Sequence, residues 1–369
     1  MIEERDIAGF ALPFAAGAYF TTGCNPFLSA CKSSTCILFL VATILLATLL
    51  SHPFTRAWGG IFRRTAVAAA GFFCGCFTGA SDMIMNISAT GTPHEATRLA
   101  EILAGRIDNL KFEQSTTSPV IKALITGDRK DIPEAITEAF RNSGGSHILA
   151  LSGFHLGIIY SIIAWTFRWT GGNRKTAIFK SISLLSLCGI YTVATGAGPS
   201  IVRAFIFILL RESAAITLRK PTTASLLFSA LIIHLTISPS SIHSVSFQLS
   251  YAAMAGIAFI FPHLDSFWPD DGYEDNFLKK LPKRIWTSAA LSISCQITTG
   301  PLAYHYFGTF PEHFLITNLI AIPLTGLIIP AALLALTLDG ISACPEFISS
   351  ATDILVTALF RTLETISEM

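Results

Sequence analysis

The chain has 369 residues, of which 51% are hydrophobic and only 13% are charged, and its mean hydropathy is +0.58. Soluble domains carry about 25% charged residues, so this sequence has too few polar side chains to cover a water-soluble globule. The composition therefore excludes an ordinary soluble protein and predicts a chain embedded in lipid. The net charge of +1 indicates nothing about a polyanionic partner.

The first residues, 3–6, are of mixed charge, and no small-residue cleavage site follows the apolar stretch 7–20. We therefore expect a retained first span and no cleaved signal peptide.

Four of the eight cysteines lie in apolar runs, where cysteine is an ordinary small hydrophobe. Cys24 and Cys31 fall in a predicted outer loop, and a disulfide between them is left open. No Cys/His cluster has zinc-site spacing, so we expect no metal and no cofactor.

Ten apolar runs are long enough to span a membrane, which takes about 20 helical residues at about 1.5 Å each. They lie near 7–23, 34–51, 65–85, 146–167, 178–196, 201–217, 222–238, 245–262, 286–305 and 314–338. In a final stretch, 346–366, polar residues such as Asp353, Arg361 and Glu364 interrupt the apolar pattern, which indicates an interfacial amphipathic helix. The predicted fold class is all-α: a polytopic membrane helix bundle of about ten spans.

Basic loops support this list of spans. Lys and Arg cluster in the loops 52–64, 168–177 and 263–285 and around residues 211–220. The short loops 197–200, 239–244 and 306–313 contain neither residue. Because cytoplasmic loops carry the excess of positive charge, this alternation predicts a cytoplasmic N-terminus and an extracytoplasmic segment 86–145.

Two capping patterns predict helices in that outer segment. Thr92-Pro93-His94-Glu95 is typical of a helix start, and Asp131-Ile132-Pro133-Glu134 repeats the pattern before a second short helix. We therefore divide the chain into N-terminal transmembrane segments (1–90), an extracytoplasmic helical segment (91–145), a polytopic domain (146–340) and a C-terminal amphipathic helix (341–369).

Polar groups at membrane depth are costly and require an explanation. In the span that begins at Ser146, His147, Ser152 and His155 lie in the predicted outer half. Ser152 and His155 are three residues apart and share a helical face. Gly153 and Gly157 form a small-xxx-small step that allows close helix approach. Ordinary helix packing is the alternative explanation for each of these residues.

Further polar positions occur in later spans. Arg203 follows a Gly-Pro turn and lies one turn into the membrane, where it either snorkels to the interface or faces an aqueous pathway. Gln248 and Ser250 lie in the next outer half-span, and Gln296 and Asn318 lie in the last two spans. Prolines 301, 323 and 330 interrupt apolar runs and predict broken helices. All these positions lie towards the predicted outer side, which indicates an outward-facing vestibule.

Four motifs of the sequence resemble those of a known family. The stretch ALITGDRKDIPEAITEAFRNSGGSHILALSGFHLGI, with GAGPSIVRA, SFQLSYAA and QITTGPLAYHYFGTFPEHFLITNLIAIPL in the same order, is similar to the competence domain of the ComEC family of bacterial DNA-uptake proteins. The resemblance covers roughly residues 95–340. It implies a multi-pass channel in the bacterial inner membrane that passes single-stranded DNA during natural transformation. It also implies a vestibule of matched residues: Asp128, Arg129, His147, Ser152, Gly153, His155, Arg203, Gln248, Ser250, Gln296 and Asn318.

The partners implied are single-stranded DNA, the lipid bilayer, a DNA receptor and a cytoplasmic translocase or helicase; homo-oligomerisation is left open. Two features of many family members are missing: an outer OB-like domain, and the His-x-His-x-Asp-His pattern of a metallo-β-lactamase-like domain. We therefore expect a channel-only member without catalytic residues.

Two other functions are alternatives to a DNA channel. One is a transporter of a small molecule or lipid precursor, which also suits broken helices. The other is an intramembrane hydrolase using Ser152, for which no oxyanion arrangement is visible.

Overall fold

The computed structural model describes residues 4–23, 43, 59–86, 94–110, 112–169, 173–268, 277–339 and 346–369. Within these ranges all regular structure is helical and no strand occurs, which confirms the predicted all-α class. The chain divides into two compact units, one formed by 1–92 with 206–258 and the other by 93–205 with 259–369. Each unit is described by itself.

Helices occupy nine of the ten predicted spans in the part of the chain that the structure describes. The span 34–51, apart from residue 43, and Cys24 and Cys31 lie outside it. Among the described helices, Arg174–Ala194, Val245–Asp265 and Phe314–Asp339 are both long and apolar enough to cross a membrane. The helices are α1 (Glu4–Gly23), α2 (Gly59–Asn86), α3 (His94–Asn109), α4 (Thr117–Thr126), α5 (Glu134–Asn142), α6 (Ser146–Leu149), α7 (Gly153–Thr166), α8 (Arg174–Ala194), α9 (Pro199–Ile216), α10 (Thr223–Ile237), α11 (Val245–Ala255), α12 (Phe261–Asp265), α13 (Phe277–Phe307), α14 (Phe314–Asp339) and α15 (Glu346–Ser367).

In the first unit, α1 and α2 pack backbone against backbone. Gly71, Gly75 and Gly79 recur every fourth residue of α2 and so lie on one face. A β-carbon on Gly75 would overlap the carbonyl oxygen of Phe14, and one on Gly79 would overlap the Thr21 hydroxyl. Small residues at this spacing let membrane helices approach closely, because little hydrophobic driving force exists between helices in lipid. The spacing is visible in the sequence, but our sequence analysis did not use it.

The second unit has a continuous apolar core built by α4–α6, α14 and α15, with the end of α3. Its innermost helix is α4, in which every residue from Val120 to Thr126 is buried. The sequence analysis predicted no helix at this position, although Ser118, Lys122 and Thr126 recur every fourth residue, which is a helical period. The outer segment 91–145 therefore packs into the same core as the span α14.

The C-terminal helix α15 is amphipathic, as predicted, but its polar residues do not all face water. Asp353 is 3% exposed, and its Oδ2 accepts a hydrogen bond of 2.7 Å from the backbone N–H of Glu113. By contrast, Phe347 and Ile354 are about 70% exposed. The Asp353 carboxylate thus satisfies a backbone donor in the turn before α4, which explains a charge inside an otherwise apolar face.

The prediction that helices break at the three prolines is wrong. Pro301 lies inside the uninterrupted α13, and Pro323 and Pro330 lie inside the uninterrupted α14. Membrane helices tolerate proline because neighbouring groups compensate for the missing donor. A break occurs instead at 150–152, between α6 and α7, whereas the π-helical turn Gly256–Ile260 joins α11 and α12 within the continuous helical segment Val245–Asp265.

Candidate functional site

The break at residues 150–152 organises the candidate site. The predicted continuous helix from Ser146 is wrong, because α6 ends at Leu149 and α7 begins at Gly153. Ser152 is in extended backbone conformation and caps α7, and its Oγ accepts a hydrogen bond of 3.3 Å from the N–H of Phe154. The signature Leu-Ser-Gly-Phe-His is therefore a helix-start motif and not the middle of a span.

His155 completes this cap. Its Nδ1 accepts a hydrogen bond of 3.2 Å from the backbone N–H of Ser152 and lies 3.0 Å from the Ser152 Oγ. This reciprocal arrangement is a capping box in which histidine takes the place usually held by Glu or Gln. Because Nδ1 accepts, the proton of a neutral ring lies on Nε2. Sequence spacing placed the two side chains together correctly, but their contact runs around a helix end and not along a helical face.

Gly153 brings α7 against α9. A β-carbon at Gly153 would lie 3.0 Å from the Ala204 Cβ and 3.4 Å from the Arg203 Nη2. Arg203 is itself only 8% exposed, so its guanidinium packs at the start of α7 and does not extend into lipid. Gly157 has nothing within 4 Å of the equivalent position. The predicted Gly153–Gly157 packing step is therefore correct for Gly153 and wrong for Gly157.

The turn after α4 lies beside this helix start. Gly127 has φ = 81°, a left-handed conformation that glycine adopts without strain, and a β-carbon there would lie 3.2 Å from the Leu151 side chain. In the turn, the Asp128 Oδ1 accepts from the N–H of Lys130 at 3.1 Å. Arg129 is exposed at the tip and lies close enough to His155 for an electrostatic interaction. His147, in α6, interacts with His155 in the same way.

Ion pairs of Lys122 stabilise the turn that follows α4. Lys122, in α4, forms ion pairs with Asp108 at the end of α3 and with Asp131 at the end of the turn. The Ser118 hydroxyl donates to Asp108 at 2.7 Å, and this hydrogen bond, with the interactions of Lys122, lowers the pKa of the Asp108 carboxyl. The hydrogen bond to Asp131, followed by the interactions with Asp108, raises the pKa of Lys122. The network therefore persists at all pH values between the ordinary pKa values of carboxyls and lysine, about 4 and about 10.4.

Several buried polar atoms near these motifs have no hydrogen-bond partner among the described residues: His155 Nε2, Gln296 Nε2 and Asn318 Oδ1. Such atoms cost roughly 1–3 kcal/mol each when nothing satisfies them. Asn318 follows Thr317, whose hydroxyl donates to the Ser143 carbonyl at 2.6 Å and so fixes the start of α14 to the turn before α6. In folded proteins, buried polar atoms of this kind are usually satisfied by ordered water.

The remaining predicted residues, Gln296, Gln248 and Ser250, lie on α13 and α11. Gln296 follows Cys295, on whose side chain Arg203 acts electrostatically, so α13 approaches the same arginine. Gln248 and Ser250 lie in the first unit, where the Gln248 side chain donates to the Ile242 carbonyl at 2.9 Å. Their approach to the other site residues stays a prediction. The sequence analysis missed Tyr191, whose hydroxyl donates to the Ile125 carbonyl at 2.7 Å and fixes α8 to the end of α4.

Comparison with known proteins shows the family to which the chain belongs. The sequence model of the Competence protein family matches residues 124–369, two thirds of the chain. The protein named ComE operon protein 3, of Bacillus subtilis (strain 168), is 23% identical over 275 residues, which are 73% of this chain and 33% of that relative. This chain thus spans about a third of the relative's length. No solved structure matches the chain. All but two of the vestibule residues lie in the second unit, and every one of them lies within the matched range. The chain belongs to the Competence protein family.

Proposed function

We propose that this chain forms the route by which single-stranded DNA crosses the bacterial inner membrane during natural transformation. One observation carries the proposal: the motifs 123–157 and 196–204 meet at the start of α7, where Arg203 is buried and where the His155 Nε2 has no hydrogen-bond partner among the described residues. Ordinary packing of apolar spans does not require such a cluster, whereas a hydrated pathway does. Membership of the Competence protein family and similarity to ComE operon protein 3 support DNA as the substrate in this proposal.

Arg203 has a specific role in this proposal: its guanidinium guides phosphates past the start of α7. Phosphate contacts with arginine are bidentate, and lysine does not reproduce that geometry. Its burial against Gly153 argues against simple snorkelling. The orientation proposed with this function has the N-terminus in the cytoplasm and Asp108 outside, as the basic loops indicate.

The experiment is uptake of labelled DNA by a deletion strain that carries each variant at equal protein level. Arg203→Lys should depress transfer of label to the cytoplasm, and Arg203→Leu should abolish it although leucine eases membrane insertion by about 3 kcal/mol. A matched control is Arg211→Leu, an exposed arginine two turns further along α9. Normal transfer in the Arg203→Leu strain would remove Arg203 from the pathway. Normal transfer in the deletion strain itself would end the proposal.

The geometry around Ser152 argues against the hydrolase alternative. Although the Ser152 Oγ lies 3.0 Å from a histidine nitrogen, the same oxygen accepts from the N–H of Phe154, and His155 is fully buried. Both side chains are thus accounted for as the cap of α7. We propose that the chain is not an enzyme; labelling of Ser152 by an activity-based serine probe would contradict this. A transporter of small molecules is the remaining alternative, and an intact DNA-uptake phenotype in the deletion strain would favour it.

A further inference from the structure

The turn between α7 and α8, in the second unit, carries unpaired positive charge. The helix α7 ends at Thr166, and α8 begins at Arg174. Around the turn the side chains of Arg168, Arg174 and Lys175 are all exposed. None of the three forms an ion pair with another residue that the structure describes. The site at the start of α7 includes none of these residues.

No carboxylate lies close to these cations in the sequence. Residues 139–211 contain neither Asp nor Glu. The same stretch has seven basic residues: Arg141, Arg168, Arg174, Lys175, Lys180, Arg203 and Arg211. The charge of the turn is therefore not neutralised from within this stretch, and an uncompensated basic surface attracts polyanions.

Exposed aromatic rings lie beside the cations. Trp165 and Phe179 are both 63% exposed. Trp165 precedes Arg168 by three residues, and Phe179 follows Lys175 by four, which is the spacing of neighbours on a helix surface. The ring of Phe167 contacts that of Phe179 edge to face, with 6.3 Å between the centroids. This contact holds together the two helix ends that carry the rings and the cations.

This combination of groups fits single-stranded DNA. Proteins that bind single strands without sequence preference combine positive side chains for the phosphates with aromatic rings on which bases stack. The guanidinium group of an arginine also binds a phosphate through two parallel hydrogen bonds. A membrane surface is the alternative occupant, because its headgroups attract cations and its interface accepts aromatic rings.

The position of the turn favours DNA. The helix α7 has 14 residues and is about 21 Å long, so it links the turn to the candidate site at its other end. On the orientation that the basic loops predict, the candidate site lies towards the outside and the turn lies on the cytoplasmic side. A strand that passes Arg203 and follows α7 therefore leaves the membrane at this turn.

We propose that the turn binds single-stranded DNA on the cytoplasmic side, with phosphates at Arg168, Arg174 and Lys175 and bases stacked on Trp165 and Phe179. The inference rests on the proposed function, which supplies the strand. It adds a second contact surface, about one helix length from the site that contains Arg203.

The salt dependence of binding tests the phosphate contacts. The full chain is reconstituted into nanodiscs of phosphatidylcholine, whose headgroups carry no net charge, and the affinity for a fluorescently labelled oligothymidylate is measured by anisotropy over a salt series. Each phosphate contact to a single strand contributes about 0.7 to the slope of log K against log salt concentration. Arg168→Gln/Arg174→Gln/Lys175→Gln should therefore reduce the slope by about 2.

A matched control removes the same number of arginines and lysines elsewhere. Arg211→Gln/Arg219→Gln/Lys220→Gln changes three exposed residues on the same predicted side, in a stretch 211–220 without aromatic residues, and should leave the slope nearly unchanged. Equal slopes for the two triple variants would overturn the proposal, because overall charge would then attract the strand. A parental slope in the variant of the turn would also overturn it, and so would absence of binding by the parent.

Stacking is tested by a second pair of variants. Trp165→Leu/Phe179→Leu should weaken binding at least about fivefold, which corresponds to about 1 kcal/mol, without changing the slope. Phe267→Leu/Trp268→Leu removes the same two ring types from exposed positions in another loop on the same predicted side and should not weaken binding. Equal affinities for these two double variants would contradict stacking at the turn.

Uptake in cells separates this inference from the proposed function. Loss of uptake in the deletion strain, together with a parental slope in the Arg168→Gln/Arg174→Gln/Lys175→Gln protein, would overturn the binding surface alone. Normal uptake in the deletion strain, together with binding that depends on the turn, would contradict the proposed function while still supporting the surface.

Discussion

The contact between α7 and α9 gives a sharp test of the candidate site. Gly153 and Gly157 lie one helical turn apart in α7, yet only Gly153 faces a neighbour. We therefore compare Gly153→Ala with Gly157→Ala, which add the same methyl group to the same helix. The sequence alone treats the two glycines as equivalent members of one packing step, so the pair separates the structural account from the sequence pattern.

The expected magnitude follows from the distances. A methyl at Gly153 would lie 3.0 Å from the Ala204 Cβ, about 0.5–1 Å closer than the optimum for two carbon atoms. Neither carbon can rotate away, because each is attached directly to a backbone, so α7 and α9 must move apart. Overpacking of this kind costs about 1–3 kcal/mol. At Gly157 no atom lies within 4 Å, and alanine in a helix interior gains up to about 1 kcal/mol over glycine. The two variants should therefore differ by about 1–4 kcal/mol.

The assay is thermal unfolding of both purified proteins in the same detergent, followed by DNA uptake at matched protein level. Gly153→Ala should lower Tm and reduce uptake, because the start of α9 carries Arg203 with it. Gly157→Ala should have an unchanged or higher Tm and normal uptake. Equal Tm values for the two variants would refute the proposed α7–α9 contact. A lower Tm for Gly153→Ala with normal uptake would support the α7–α9 contact but would contradict a role of that contact in DNA uptake.

Three further variants test the packing of the two units. Gly75→Ala should lower Tm by an overpacking cost of about 1–3 kcal/mol, whereas Gly9→Ala, which meets open space, should not; similar values would contradict the α1–α2 packing. Lys122→Met should lower stability by a constant amount between about pH 5 and 9, and the difference from the parent should shrink below about pH 4 as its carboxylate partners are protonated. A difference that grows in acid would contradict the ion network. Asp353→Ala should cost about 1.5–3 kcal/mol in unfolding measurements, and the exposed Asp339→Ala almost nothing.

Hydropathy predicted the helical class and the positions of nine helices in the described residues, because it depends on local composition. The break at 150–152 was not predicted, since the sequence has no proline or charge there to end the helix. Instead, the Ser152 and His155 side chains compete for the backbone donors at the start of α7. Conversely, Pro323 and Pro330 suggested breaks that tertiary packing of α14 overrides.

The candidate site shows the same limit. Arg129, His147 and Ser152 lie near His155, because these residues are close in sequence and joined by short turns. The burial of Arg203 against Gly153 could not be predicted, since it depends on which face of α9 meets α7. The place of Asp353 was also missed: a charge in an amphipathic helix suggests solvent, and its partner is the backbone N–H of a residue 240 positions away. Long-range partners of this kind leave no periodic signal in the sequence.

The hydrogen bond between Asp353 and Glu113 also bears on how the chain lies in the bilayer. The alternation of basic loops predicts that α14 ends on the cytoplasmic side and that residues 86–145 are outside. Asp353 lies only about 10 Å along α15, too little to cross a core of about 30 Å. Both statements hold together only if the chain around Glu113 descends beside α14 to meet α15. On that premise the exposed Glu113 side chain would lie at membrane depth, where a charge that faces lipid is costly, and we expect it to face water inside the protein. A cysteine at Glu113 should then react with a small membrane-impermeant thiol reagent added from outside. Reaction from the cytoplasmic side alone would overturn the alternation, and the descent inferred from it.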